Sequence, residues 1–520
     1  MDVDVLVVGY GPVGAALAGL LGGYGVRTLV IDKAPDIYTA PRAIALDNEA
    51  LRILQMVGLG EHDFARVPIP FVALRSPRFG EFARIRTARV IDGHPMLVTF
   101  FQPELERALR ANAERKPSVT AQSGVELLWF TEDAEGVHAV IRTAHGDQEL
   151  VRARYLVGAD GASSKVRAAI GESFEGQTYA EDWLIVDALD VESPIDHVEF
   201  HCDPERPTPH MLAPGGRQRW EFMLRPGEVR EEMERDETIA ELLAPWVKPG
   251  AYRVERKAVY QFHARVCARF RKGRVLLAGD AAHVTPPFVG QGLVSGLRDA
   301  ANLAWKLAWV TEGRAAPSLL ESYDRERRPH AKKMVDLARF AGLFIMPRSR
   351  TRAFVTHGML NVLRHVPGLK TLIGDFSVKP MNAYSEGLFV RGRGRIPRGS
   401  WFPQAVLRDA HGRARLSDEV IGRRLTLICT DASPSIDAET ARRWERAGGA
   451  TAVLLAKGSA PSPGCHVDVE GAFHALTRDT RCIVVRPDLT VLHDGPLSRV
   501  GQVVRESLSL LTGGLDVAST

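Results

Sequence analysis

The sequence predicts an α/β protein in which a dinucleotide-binding domain is interrupted by a β-rich domain and followed by a smaller α/β domain. Three observations predict it. The amino terminus reads strand, glycine turn, helix, strand within about 30 residues, the length of one βαβ unit. Two later apolar runs, Tyr155-Leu156-Val157-Gly158-Ala159-Asp160-Gly161 and Arg274-Val275-Leu276-Leu277-Ala278-Gly279-Asp280, resemble the first unit's strand and each end in a glycine and an aspartate. Residues 71–100, ahead of both runs, and 176–264, between them, change texture. Short β-like runs such as Trp183–Val186 and Trp220–Leu224 alternate there with Pro, Gly and Asp turns.

Taken in order, Val3–Val8 is the continuous apolar run that a strand buried on both faces requires. Pro12–Tyr24, rich in Ala, Leu and Gly, fits a helix pressed closely on a sheet, and Val26–Ile31 is the second strand. Residues 300–345 are helical by period and composition, and the Gly/Arg/Pro-rich stretch Arg391–Pro397 reads as a linker. Beyond it, Leu425–Ile428 and Cys482–Val485 are expected strands. The expected division is 1–70, 101–175 and 265–395 for the nucleotide-binding domain and its following helices, 71–100 and 176–264 for the β-rich domain, and 396–520 for the carboxyl-terminal domain.

With 45% apolar and 25% charged residues, the chain has the composition of a globular protein in water. Its 67 basic residues nearly balance 63 acidic ones, against the large basic excess of a nucleic-acid binder. The first residues lack the basic start and cleavage pattern of a secretory signal. The most apolar helical stretch, Leu303–Val310, is far short of a bilayer span and contains Lys306. Five cysteines (Cys202, Cys267, Cys429, Cys465 and Cys482) show no CxxC pair and no metal-type spacing. Reduced thiols in a cytoplasmic enzyme, with no metal, are the reading.

Gly9-Tyr10-Gly11-Pro12-Val13-Gly14 carries the first chemical signal. It follows an apolar strand, opens a helix, and has Asp32 at the end of the second strand. Gly9 permits the tight turn, Gly11 lets a pyrophosphate approach the backbone, and Gly14 lets helix and strand pack closely. The helix amino terminus, at Pro12, offers N–H groups and a positive dipole end to phosphates, and Asp32 can accept from ribose hydroxyls. A structural turn beside a surface aspartate is the competing reading, and the fingerprint alone does not separate NAD from FAD.

Two further blocks separate them. Gly158-Ala159-Asp160-Gly161-Ala162-Ser163-Ser164-Lys165-Val166-Arg167 resembles the DG motif of flavin-dependent aromatic hydroxylases. Gly279-Asp280-Ala281-Ala282-His283, with Pro286-Pro287, Gly290-Gln291-Gly292 and Asp299–Lys306, resembles their GD motif and flavin loop. Pro41-Arg42-Ala43-Ile44, Gln102–Glu106, Tyr323–Ala331 and Arg486-Pro487-Asp488 are similar to the 3-(3-hydroxyphenyl)propionate hydroxylase branch of that family. The similarity runs over nearly the whole chain and is weakest between 345 and 480.

The resemblance implies a Rossmann-type FAD-binding domain interrupted by a β-sheet substrate domain, the p-hydroxybenzoate hydroxylase fold, plus a carboxyl-terminal thioredoxin-like domain. Lacking CxxC, that last domain is expected to serve packing or homodimerisation, not thiol redox chemistry. Gly9, Gly11, Pro12, Gly14, Asp32 and the adjoining Lys33 are implied to hold the ADP half of noncovalent FAD. Arg42, Gln102 and Asp160 are implied near the pyrophosphate, flavin or nicotinamide, and Asp280 on the ribityl chain. Pro287 and Gly290-Gln291-Gly292 are implied beside the flavin ring, where a helix dipole favours the anion of the reduced ring. Val294 stands where the family often has Asn. NADPH or NADH would serve as transient co-substrate, and O2 would add to the reduced flavin to give a C4a-hydroperoxide that hydroxylates a phenolic ring. A tailoring hydroxylase of a larger, polyketide-type aromatic is the alternative, and a flavin dehydrogenase or oxidase a more distant one.

The substrate pocket is the least legible part. Tyr260, His263, Trp183 and His210 fall in the β-rich region as pocket candidates, Tyr260 and His263 as groups that could help deprotonate a phenol. For each, an ordinary packing or surface residue is the favoured reading. His283 reads as a structural residue of the flavin loop before it reads as a base. Arg206 or Arg219 could pair a substrate carboxylate, chance placement among many arginines being the competing reading.

Overall fold

The structure is a computed structural model. It describes residues 1–520 except 41, 348, 366–381, 393, 431–433 and 514–520, and the backbone alone of residue 180. Pro41 and Arg393, part of the motif and linker readings above, lie outside the described residues. The chain forms two compact units: Met1–Gly22, Arg27–Ala300 and Ala331–Pro380 in the first, Gly23–Val26, Ala301–His330 and Met381–Thr520 in the second.

The first unit begins as its apolar pattern requires. Strand Val3–Val8 lies between strands Thr28–Asp32 and Gln148–Gly158, parallel to both, and Val275–Leu277 joins the far side of Gln148–Gly158, again parallel. Helix Pro12–Gly23 stops one residue before its expected end, and the second strand is shifted to Thr28–Asp32. The register aligns the carboxyl ends, with Val8 opposite both Ile31 and Gly158, and Gly158 opposite Leu277. Three loops therefore leave the sheet side by side, which is where open α/β sheets bind ligands.

A second sheet of the same unit runs in the order His283–Val284, Arg253–Cys267, Phe174–Leu189, Arg217–Met223, Thr208–Ala213, Val198–His201, Phe71–Ser76, Gly80–Arg86. Distant segments are joined in it, because Phe71–Ser76 pairs in parallel with Val198–His201. Side chains on the two sheet faces alternate. Leu184, Val186, Trp220 and Phe222 pack on Met233, Ile239, Leu243 and Val247 from the short helices and loop that cover one face. Trp183, Ile185 and Asp187 point the other way, directly opposite Met223, Glu221 and Arg219 on one neighbour and Tyr260, Ala258 and Arg256 on the other. An aromatic cluster of Phe82, Trp183 and Phe288 occupies part of that second face, with Phe262, Tyr179 and Met223 at its border.

The second unit holds a seven-stranded mixed sheet, in the order Ala414–Leu416, Val406–Arg408, Cys465–Asp468, Gly449–Leu455, Leu425–Cys429, Arg481–Val485, Val491–Pro496. The stretch expected to be a linker is pinned in place in its described part. The buried Asp494 carboxylate accepts from Arg398 Nε at 2.8 Å, from the Arg395 backbone at 3.3 Å and from Arg481 at 2.6 Å. An acid with no exposure holds its arginines, and so the glycine-rich composition does not give a free tether.

Two of the motifs quoted for the family resemblance meet inside this unit. Glu326 accepts from Arg486 Nη1 at 2.7 Å and Nη2 at 2.9 Å, from Lys306 Nζ at 2.7 Å and from Asn302 Nδ2 at 2.6 Å. Arg486 also donates through Nε to Asp488 at 3.0 Å. Burial alone would raise the Glu326 carboxyl, but Arg486 and Lys306 outweigh it and hold it well below the usual range. Among the described residues, no helix is long and apolar enough to cross a membrane.

Candidate active site

The three loops at the sheet's carboxyl ends are built against one another. Gly9 has φ +104°, and a Cβ there would collide with the Ala159 carbonyl of the neighbouring loop. A Cβ on Gly14 would collide with the Gly9 carbonyl, so that glycine lets helix Pro12–Gly23 sit on the turn. Gly11 differs from both. No protein atom lies within 4 Å of where its Cβ would be, and its backbone is not in the left-handed region. The polypeptide itself gives no reason for a glycine at 11. A phosphate-bearing ligand approaching the backbone at the helix amino terminus does.

Asp32 fixes the loop's shape. Its Oδ2 accepts from the Tyr10 N–H at 2.7 Å and Oδ1 from the Ala34 N–H at 2.8 Å, and the carboxylate remains half-buried at the site's edge. Tyr10 is locked from behind by Arg110, which donates to the Tyr10 carbonyl at 3.0 Å and to Glu106 at 2.7 Å. Lys33 lines an open groove of about 590 Å³ with Ala34, Gly124, Glu126 and Arg142. Gln102 Oε1 accepts from the Ala43 N–H at 3.0 Å and so holds the loop that carries Arg42. The exposed Arg42 guanidinium lies 4.5 Å from the Tyr38 ring.

Asp160 and Arg167 act within the protein. Asp160 accepts from Ser164 Oγ at 2.5 Å and the Val166 N–H at 3.2 Å, shaping the turn into the next helix. Arg167 donates to the Ala162 and Ala281 carbonyls at 2.8 and 3.2 Å, which ties the second loop to the third. Asp280 on that third loop reaches solvent although protein surrounds it, the position of a group at the floor of a cleft. Those surroundings raise its carboxyl, His283 and Arg42 oppose the rise, and Asp299 adds to it.

His283 is fully buried, with Nε2 2.7 Å from Asp299 Oδ2, and the same oxygen accepts from the Gly279 N–H at 3.0 Å. It holds the loop and has no path to a substrate in this arrangement. Gln291 is also turned inward. Its Nε2 donates to Asp47 at 3.0 Å and its Oε1 accepts from Arg298 at 3.1 Å, while Arg298 Nε donates to Glu49 at 2.7 Å. What Gln291 offers a flavin is therefore its backbone, beside Gly290 (φ +61°), Gly292 and Pro287. Val294 is fully buried in the core. Asp47, Glu49 and Arg298, which support this loop, were not singled out in the sequence, and Asp299 stood in a quoted block without a role. An Arg-Asp pair within an apolar helix, Gly292–Thr311, was the available signal.

The pocket candidates sit in different surroundings. Tyr260 bonds Tyr38 through their hydroxyls at 3.3 Å. Burial and Tyr38 push its phenol up to about 12, against Arg42. His263 Nδ1 is 3.1 Å from Thr178 Oγ1, and burial and Arg265 lower its pKa. His210 stacks on Trp220, ring centroids 4.4 Å apart, on the face away from the aromatic cluster. Arg206 pairs with Glu228, and Arg219 donates to both oxygens of buried Asp187 at 2.6 and 3.0 Å, so both arginines already have carboxylate partners. Trp183 belongs to the aromatic cluster, 6.0 Å by ring centroid from Phe288 of the flavin loop.

Residues 2–338 match the family model described as FAD binding domain, and 399–509 match that of the HcaD C-terminal domain. The chain belongs to the FAD-dependent aromatic hydroxylase family. It is 39% identical over 429 residues to a 3-(3-hydroxy-phenyl)propionate/3-hydroxycinnamic acid hydroxylase of Comamonas testosteroni, covering 82% of this chain and 72% of that one. A second such hydroxylase, from Burkholderia vietnamiensis, is 36% identical over 93% of this chain and 92% of its own length. In fold, the flavin-dependent monooxygenase PieE, solved with FAD and substrate, superposes with a TM-score of 0.80 over 98% of this chain and 99% of that one, at 23% identity. The p-nitrophenol 4-monooxygenase PnpA of Pseudomonas putida gives 0.65 over 71% and 95%, at 26% identity.

The residues present fit FAD. The open position at Gly11 suits the pyrophosphate, Asp32 a ribose, Asp280 a hydroxyl-bearing chain in the cleft, and the loop from Pro287 to Gly292 the ring.

Proposed function

We propose that this flavoprotein hydroxylates the ring of a small phenol of the 3-(3-hydroxyphenyl)propionate type, with NAD(P)H as reductant and O2 as oxygen donor. The observation that carries the reading is the meeting of three flavin-type loops beside an aromatic-lined sheet face, in a chain whose curated relatives at 36–40% identity share that named activity. FAD supplies the redox chemistry when bound. The protein's residues bind, orient the ring and exclude water. The polyketide-type alternative is not favoured, since the aklavinone and anhydrotetracycline hydroxylase structures are 24–25% identical to this chain and the phenylpropionate hydroxylases 36–40%.

The carboxyl-terminal sheet is read as thioredoxin-like in architecture without its redox chemistry, for packing or homodimer formation, in a cytoplasmic enzyme. A bound phenol should accelerate flavin reduction, which limits wasteful reduction without substrate. Stopped-flow mixing with NADH or NADPH, with and without a panel including 3-(3-hydroxyphenyl)propionate, checks this. Faster reduction with at least one phenol is expected, and equal rates across the panel would refute the substrate class.

A further inference from the structure

We propose that Glu221 is the group that takes the phenolic proton of the substrate, a role resting on the aromatic hydroxylase reading above. Glu221 lies in strand Arg217–Met223, directly opposite Ile185. Its side chain shares a sheet face with Trp183, Met223 and Tyr260, away from the helix-covered face. It is 5% exposed, and its carboxylate has one ion pair, to Arg219 Nη1 at 4.0 Å, beyond hydrogen-bond length. A buried carboxylate with so distant a partner is under-compensated, which favours its protonation or a ligand that donates to it.

The charges around it leave it in that state. The nearest is Arg219, with Nη1 4.0 Å away, but that guanidinium is already committed to both oxygens of Asp187 and to the Arg42 carbonyl. On the Arg253–Cys267 strand, Arg256 also serves Asp187, and Tyr260 bonds Tyr38. On the Thr208–Ala213 side the same-face residues Pro209 and Met211 carry no charge. Burial pushes the Glu221 carboxyl up to about 7, with Arg219 pulling it down and Asp187 pushing it further up. A group titrating near neutrality both accepts and returns protons efficiently at that pH.

Its neighbours are tied to two of the loops assigned to the flavin. Arg219, two residues before Glu221, holds the carbonyl of Arg42 on one flavin-side loop. Met223, two residues after it, borders the cluster in which Trp183 packs on Phe288 of the other. Ala258, two strands across, puts a small side chain on this face of the sheet. Tyr260 and His263 are worse bases here, the first because its own proton is held too tightly, the second because it is engaged with Thr178.

The chemistry is a proton transfer. The substrate O–H bond breaks, its electron pair stays on oxygen as phenolate, and the proton bonds to a Glu221 carboxylate oxygen, leaving to solvent when product departs. An ionised phenol is the more electron-rich ring and the better acceptor of an electrophilic oxygen. The same negative charge repels a substrate carboxylate, so the hydroxyl end of the substrate faces Glu221.

Phenols of graded acidity test this on the FAD-loaded enzyme, using 3-(3-hydroxyphenyl)propionate and its ring-fluorinated analogues. Glu221→Gln should lower kcat for the parent phenol by about 100-fold, the usual scale for losing a general base. The loss should shrink steadily as the phenol becomes more acidic, Glu221→Asp should recover part of it, and FAD content should stay at the wild-type level. The wild-type acid limb near pH 7 in kcat should vanish in Glu221→Gln. An equal loss for every phenol in both variants, or no loss, would overturn the assignment. Failure of the hydroxylase reading itself would show in the wild type, as absence of oxygenated product from any phenol.

Discussion

Gly11→Val will fold like the wild type and will bind FAD at least about 100-fold more weakly, a loss of about 2.8 kcal/mol at about 1.4 kcal/mol per tenfold. The expectation rests on a contrast among three glycines of one motif. At Gly9 and Gly14, an added Cβ would strike neighbouring backbone, so substitution there damages the protein itself. At Gly11 nothing beyond its chain neighbours lies within 4 Å of the added Cβ, and the backbone is outside the left-handed region. The side chain would instead fill the space in which a pyrophosphate meets the helix amino terminus. Circular dichroism melting and FAD titration of the apoprotein together decide it. Unchanged FAD affinity would refute the loop assignment, whereas Gly14→Val should lose the fold.

Glu326→Ala should be the most damaging single change in the second unit, costing about 3–5 kcal/mol, the scale for leaving a buried charge without its partner. The wild-type cluster balances two carboxylates, Glu326 and Asp488, against Arg486 and Lys306, all buried. Removing Glu326 leaves one carboxylate against two cations in a place water does not reach. The pH dependence follows from the sign of the shift. Glu326 is depressed in the folded state, so its contribution is fully present above the unfolded carboxylate value, about 4.3, and is lost as pH falls through the folded value. Urea unfolding at pH 7 and in steps from pH 5 down to pH 3 should show the wild type losing stability progressively below about pH 4.3 and the variant losing less. A variant as stable as the wild type would show that this cluster is not a stabilising one.

Legibility in the sequence tracked distance along the chain. The apolar run Val3–Val8 predicts a strand of those residues, and the strand has those bounds, because its burial on both faces is written in consecutive residues. The glycine motif and the two Gly-Asp blocks are equally local, and parallel pairing brings them to one edge. What escaped is held together across long separations. Gln291 is implied beside the flavin through the backbone of Gly290–Gly292, while the role of its side chain, held by Asp47, 244 residues earlier, and by Arg298, needs the fold. The Arg391–Pro397 stretch looked free by composition, and it is the buried Asp494 that holds its end. Tyr323–Ala331 and Arg486-Pro487-Asp488 were recognisable as motifs, while their purpose, a shared buried ion cluster, needs the fold. Glu221 gave no signal in the sequence, since only the pairing of its strand shows which face it takes and how few partners it finds there.

Turnover under ¹⁸O2 with NAD(P)H and a phenol that accelerates flavin reduction tests the account at its centre. The account predicts one labelled oxygen atom per molecule of product, placed on the ring, and one nicotinamide oxidised for each. A product that is dehydrogenated and free of label, formed together with hydrogen peroxide, would contradict it.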